Sequence, residues 1–450
     1  MRGGGALALT GGTVVTSLSP PRLARADLLV RDGRVAEPGD AGLPTGAPRL
    51  DCSGCVVIPG NVCAHHHLYS ALARGMPYRL PPPRTFVEVL RRVWWRLDRA
   101  LDEDTVRASA ALGGLEALLA GTTTVVDHHA SPSVAGPGCL ELVASALEEL
   151  GLRSVLCYEV SDRDGPDVAR AGLELQRAFL ERPRERTRGM VGAHASFTLS
   201  EDTLAACVEL AREFQVGLHV HVAEDATDQA DCLARFGTRV IHRLDRAGAL
   251  DERALLAHCV HVDQGEVEAI HARGATVVHN ARSNMNNRVG HAPVGAFRRL
   301  ALGTDGIDGD LFAESRAAYW RAREADPRVG PPWVLERLAE SARFAGRAFG
   351  EPLLGALEPG APADLVVLEY DPPTPLEPET LAAHWVFGLS ARHVRDVVVG
   401  GELVVRDRRP TRVDPAEVAA RARRAAERLW GRLDELDEHP FVPAGVPATA

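Results

Sequence analysis

Two histidines stand two residues apart just after a Pro-Gly turn, in Val57-Ile58-Pro59-Gly60-Asn61-Val62-Cys63-Ala64-His65-His66-His67. Side chains two apart on a strand share a face, so His65 and His67 can aim at one point while His66 faces away. Neutral imidazole is the commonest protein metal ligand. Further along, His221 (with Glu224 three residues on), His258, His279 and Asp305 each close a short apolar run. Three histidines and a carboxylate (His65, His67, His221 and Asp305) suit one divalent ion and leave room for a water. Zinc fits that nitrogen and oxygen set best, with iron or manganese as alternatives. Such an ion lowers the pKa of a bound water from roughly 16 to about 7, which makes hydroxide available at neutral pH.

The groups around this set have work to do. Glu224, just past the strand end, can take the water's proton and hand it to a leaving nitrogen. Alone it would read as a surface glutamate; beside His221 it reads as catalytic. His258 can bond the hydroxide or polarise the scissile bond, with a satisfied core histidine as the plainer alternative. Asp305 sits in Gly303-Thr304-Asp305-Gly306, which a simple turn would also explain. His219 shares a face with His221 and competes with it for the metal. The spacing to Glu224 favours His221 and leaves His219 as a supporting or substrate-facing group.

These residues need a scaffold that brings strand ends to one place. The middle of the chain alternates helical stretches with short apolar strands, the pattern of parallel βα units. Strands are expected before His65 and at Gly121–Asp127, Arg153–Tyr158, Met190–His194, Gly217–His221, Ala254–His258, Thr276–His279 and Leu300–Asp305. That set predicts an α/β fold, a distorted (β/α)8 TIM barrel, with its chemistry at the carboxyl ends of the strands. Both chain ends are rich in short β runs and predict a small β-sandwich built from the two termini. The expected division is 1–58 with 357–410 for the composite β domain, 59–356 for the barrel, and 411–450 for a C-terminal helix and tail. The helix is expected from Pro415 to Leu436, and the Pro/Ala-rich stretch from Pro440 to Ala450 is expected to be loose.

The 450 residues hold 45% hydrophobic side chains and a net charge of −10, with no basic stripe. This favours a small-molecule enzyme over a nucleic-acid binder. No run approaches the roughly 20 apolar residues of a membrane span, and no signal-peptide core opens the chain, so a cytoplasmic protein is expected. All 51 Lys+Arg residues are arginine. A Schiff-base, P-loop or carbamylated lysine is therefore impossible, and any metal site must be built from His, Asp, Glu or Cys. The eight cysteines show no framework, and Cys52-Ser53-Gly54-Cys55 reads as a turn into a strand.

The Pro-Gly followed by His-x-His, the His221-x-x-Glu224, the Ala257-His258-Cys259, the His279-Asn280-x-x-Ser283-Asn284 and the Gly303-Thr304-Asp305-Gly306 together resemble the amidohydrolase superfamily. The closer resemblance is to its ATZ/TRZ-type aminohydrolases and chlorohydrolases of nitrogen heterocycles, and it covers nearly the whole chain. It implies a metal on His65, His67, His221 and Asp305, Glu224 as proton shuttle and His258 as polarising group. Without lysine, one metal rather than two is expected. His194 matches a substrate-contacting histidine of the family, and Phe197 takes an aromatic place near it. Many relatives carry proline where Ala281 stands; here Arg282, Asn284 and Asn286 could present a charged, hydrogen-bonding wall. His128 or His129 could line the pocket. Of Trp94 and Trp95, about 100° apart on a helix, at most one is expected to stack on a ring.

The expected reaction is hydrolytic deamination of a purine-, pterin- or triazine-like heterocycle. Opening of a cyclic amide ring and triazine dechlorination are alternatives that would use the same residues. A catalytically silent binding scaffold is the alternative from a different class. Expected partners are a small heterocyclic substrate and copies of the same chain, with no nucleic acid or membrane.

Overall fold

The computed structural model describes residues 5–37, 47–136, 138–182 and 184–445. The first four residues and the last five of the expected tail lie outside the described residues. Eight parallel strands make the central ring: β1 Asn61–His66, β2 Thr122–His129, β3 Arg153–Tyr158, β4 Val191–Ala195, β5 Leu218–Val222, β6 Leu255–His258, β7 Thr276–His279 and β8 Leu300–Leu302. They form two arcs. β1 to β3 pair in order, with the short strand Thr187–Gly189 on β3, and β4 to β8 pair in order. Single parallel bridges, Val160 to Ala193 and His66 to Asp305, join the arcs at both seams. Strands covered on both faces must be apolar or neutral throughout. Every residue of β1, β2, β4, β5, β6, β7 and β8 is accordingly buried.

A nine-stranded sheet is built from both ends of the chain. Its order is Arg409–Pro410, Glu402–Arg406, Val394–Val399, Leu365–Leu368, Val56–Pro59, Ala6–Leu18, Pro21–Arg31 and Arg34–Val35, with Arg49–Asp51 also paired to Ala6–Leu18. It has a core of its own, including Leu9, Val30, Val57, Leu365 and Val398. The strand Val56–Pro59 sits in the middle of this sheet and continues through Gly60 into β1. A Cβ on Gly60 would lie 2.2 Å from Thr123 Oγ1, so the join tolerates only glycine. Cys52 and Cys55 lie in the turn before this strand, and burial pushes the Cys52 thiol up to about 11.

The final helix, Pro415–Asp434, is capped by Asp414, whose side chain accepts from Ala416 N. The segment beyond this helix is not loose through its described part, contrary to expectation. Arg96 Nε donates to Leu436 O at 2.9 Å, Arg92 Nε to Glu438 at 3.0 Å and Arg91 Nε to His439 O at 2.8 Å. The rings of His439 and Phe441 pack on Trp95 at 5.2 and 5.7 Å, and Ala444 N donates to Asp231 Oδ1 at 2.6 Å. The composition of the tail is Pro/Ala-rich, but contacts with the segment after β1 and with Asp231 anchor it, and His439 is buried. Among the described residues no helix is long and apolar enough to cross a membrane.

Candidate active site

The carboxyl ends of the strands bring His65, His67, His221, His258, Glu224 and Asp305 together. His67 Nε2 lies 3.1 Å from His221 Nε2 and 3.1 Å from Asp305 Oδ1, and His65 Nε2 lies 3.7 Å from the same Oδ1. Backbone carbonyls fix two of the rings. His67 Nδ1 donates to His128 O at 2.6 Å and His221 Nδ1 to His194 O at 2.8 Å. Both Nε2 lone pairs are thereby turned inward, the arrangement a metal-binding imidazole needs. His66 turns the other way, its Nδ1 on the Asp305 carbonyl at 2.6 Å. Gly303 lets the Asp305 segment approach: a Cβ there would lie 2.7 Å from the His65 Cβ.

Left-handed backbone marks this end of the barrel. Ala223, His258, Cys259 and Asp305 have φ of 44, 74, 47 and 54°. Non-glycine residues pay for that conformation, and such strain gathers where side chains must be aimed.

The electrostatics suit a cation. Burial holds His65 and His221 well below the usual histidine range, hence neutral. Burial opposes charge on His67 as well, but Asp305 overcomes it and draws His67 up to about 9. Despite its own burial, Asp305 is held well below the carboxylate range by His65 and His67. A bound cation would take the place of that proton. His65 Nε2 is buried with no hydrogen-bond partner, an orphan a metal would satisfy. His65, His67 and Asp305 form one such donor group, and His65, His221 and His258 another.

Glu224 and His258 face this cluster. His258 Nε2 is 3.6 Å from Glu224 Oε2 and 3.7 Å from Asp305 Oδ2, while its Nδ1 donates to Asn284 Oδ1 at 2.8 Å. Burial pushes Glu224 up to about 7, with His258 opposing and Asp305 adding. Asn287 Nδ2 donates to its Oε1 at 3.3 Å.

The pocket above is walled by Phe86, Leu90, Trp94, Trp95, Phe197 and Ile307. His194 lines it too, held by Thr198 Oγ1 at 2.7 Å. Both tryptophans line the pocket, Trp94 closing a π-helical turn over Leu90–Trp94.

Three expected substrate contacts are not brought there. His219 is wholly buried, its Nε2 on His65 Nδ1 at 2.8 Å, so it supports His65 from behind. Arg282 turns to Glu314 and Asp308, and Asn284 to His258. The cause is the short helix Ala281–Asn286. Successive residues there diverge by about 100°, so Ser283, Asn286 and Asn287 share the face that lines the pocket. His128 and His129 are fully buried beneath it. Glu159 is a lining residue that sequence reasoning missed, as are Asp225 and Asp228. Glu159 follows β3 directly, and its place at a strand's carboxyl end is the signal that could have found it. Arg163 Nη1 donates to it at 2.7 Å, and its other oxygen is 3.2 Å from His128 Nδ1. Burial alone would raise Glu159, but His194, Arg163 and His128 hold it well below the carboxylate range.

Residues 56–404 match the amidohydrolase family. The chain is 32% identical over 421 residues to a 5-methylthioadenosine/S-adenosylhomocysteine deaminase of Desulforudis audaxviator, covering 90% of this chain and 94% of that one. It is 31% identical over 389 residues to a 5'-deoxyadenosine deaminase of Methanopyrus kandleri, covering 83% and 86%. Among solved structures, an adenosine deaminase from Xanthomonas campestris with bound zinc superposes with a TM-score of 0.81 at 25% identity, covering 94% and 98%.

Proposed function

The chain belongs to the amidohydrolase family and is a metal-dependent hydrolytic deaminase of a nitrogen heterocycle; from that premise we propose how its residues divide the work. His65, His67, His221 and Asp305 hold one divalent ion, zinc in preference to iron or manganese. When bound, the ion supplies Lewis acidity and acidifies water. Glu224 takes a proton from the attacking water and delivers it to the departing amino nitrogen. Water adds at the ring carbon, the C–N bond breaks, and ammonia leaves an oxo ring. The Glu224 carboxyl, pushed up to about 7 by burial, is suited to both accept and return a proton near neutral pH. His258, its Nδ1 hydrogen committed to Asn284, presents the Nε2 lone pair to the same point and accepts a hydrogen bond from the attacking water, orienting its oxygen toward the ring. Asp305 steers the water from the opposite side, and Ser283 Oγ donates to its second oxygen.

His194, Phe197 and the tryptophan wall receive the flat ring, and the substrate is nucleoside-like. Residues 59–356 carry the chemistry, and the composite unit of 1–58 with 357–410 braces β1. The observation that carries this reading is the convergence of His67, His221 and Asp305 within 3.1 Å contacts, with Glu224 and His258 facing them.

The test is a panel of aminopurines, their nucleosides, aminopterins, aminopyrimidines and aminotriazines given to the zinc-loaded protein, with ammonia and ring absorbance followed together. Ammonia with an intact ring chromophore is expected. Loss of the chromophore without ammonia would overturn deamination in favour of ring opening.

A further inference from the structure

We propose that the pocket selects uncharged or cationic substrates and excludes those bearing phosphate or carboxylate; this rests on the deaminase reading above. The wall is aromatic and aliphatic, and Ser70, Asn286 and Asn287 add neutral hydrogen-bonding groups. Beyond Glu224 and the cluster, the charged side chains that line the pocket are carboxylates: Glu159, Asp225 and Asp228. No arginine lines it among the described residues, although the chain carries 51 cationic residues, all arginine.

Three guanidiniums adjacent to lining residues, by sequence or by hydrogen bond, are already engaged. Arg163 is held between Glu159 and Asp98, at 2.7 and 2.6 Å. Arg235 bonds Asp231 and the carbonyls of Phe197 and Leu199. Arg92 bonds Glu88 and Glu438. Arg288, one residue past Asn287, is exposed and outside the lining.

The acids differ in what they can offer. Both oxygens of Asp228 accept backbone hydrogens, from Phe197 N and Ala223 N. Asp225 uses Oδ1 to cap the helix Ala226–Phe236, and its second oxygen has no hydrogen bond among the described residues. That oxygen can receive a hydroxyl or an ammonium. A phosphate brought to the same place would lose water, gain no guanidinium and face like charge.

The experiment uses the full-length, metal-loaded protein and four compounds sharing one aminopurine nucleoside core: the neutral 5'-hydroxyl, the 5'-amine, the 5'-carboxylate and the 5'-monophosphate. Ammonia release gives kcat/KM, and tryptophan fluorescence gives binding whether or not turnover occurs. The neutral and amine forms should exceed the two anions by about 100-fold in both readouts. Asp225→Asn keeps the helix cap, since asparagine caps as well as aspartate, and should lower the preference for the amine over the hydroxyl. An anion within tenfold of the neutral form would overturn the proposal, as would failure of the neutral forms to bind. Binding with the expected charge order but no ammonia would leave the charge selection standing and remove the deaminase reading instead.

Discussion

Replacing Arg163 with methionine isolates the buried charge network beneath the pocket. Its side chain is 2% exposed, and its partners Asp98 and Glu159 are 1% and 4% exposed. Breaking a buried pair by removing one partner costs about 3–5 kcal/mol, because the remaining charge is left without compensation. Here two carboxylates are left. Glu159 keeps His128 at 3.2 Å, which softens its share. Asp98 has an escape: burial already pushes its carboxyl up to about 7, so without the guanidinium it takes a proton at neutral pH. The low end, about 3 kcal/mol, is therefore expected near pH 6, and a larger loss at pH 8.5, where holding that proton costs more. A carboxyl whose folded pKa is raised gives its full stability below the unfolded value of 3.8 and loses it as pH rises through the folded value. Urea unfolding followed by tryptophan fluorescence at the two pH values measures this. Arg163→Met with Asp98→Asn should recover part of the loss and most of its pH slope. A loss under about 1 kcal/mol at both pH values, or a larger loss at pH 6, would refute the reasoning.

Glu224→Gln should keep its metal and lose about 10²–10⁴ in kcat; undiminished turnover would remove Glu224 from the chemistry. His221→Ala and Asp305→Asn should lose most bound metal while His219→Ala loses less, measured by metal analysis after dialysis, and the opposite ranking would exchange the roles of the two histidines. Truncation after Leu436 removes the rings of His439 and Phe441 from Trp95. At about 0.5–1.5 kcal/mol per aromatic contact, KM should rise on the order of tenfold with a smaller change in kcat, and an unchanged KM would show that the wall stands without the strap.

The convergent groups were legible because strand geometry is local. The alternation at His65 and His67 fixes their shared face, and His221, His258 and Asp305 close apolar runs whose parallel pairing follows from the βα pattern. The wall expected beside Ala281 held for Asn286 but not for Arg282 and Asn284. A six-residue helix turns its side chains faster than sequence order suggests, and only the packing against Glu314 and His258 decides which of them faces inward. Glu159 is held by Arg163 four residues on, but what holds Arg163 in turn is Asp98, 65 residues away, and the docked segment around His439 depends on Arg91–Trp95, far away in sequence. The strand end before Glu159 is a local signal, whereas no pattern around His439 encodes its docking. His219 was ambiguous for a similar reason: two histidines on one strand face can both aim inward, and depth in the barrel assigns them.

The strand that passes through Gly60 makes the two β structures one cooperative object. Val56–Pro59 is an interior strand of the terminal sheet, hydrogen-bonded on both sides, and a few residues later the same chain presents His65. Any unravelling of that sheet pulls directly on His65 and His67, and on the proposed ligand set the energy of a metal bound there would hold the sheet shut in return. The barrel excised without the sheet is therefore expected not to fold when expressed alone. Heat or urea should melt sheet and barrel in a single transition, and a chelator should move that transition for both together.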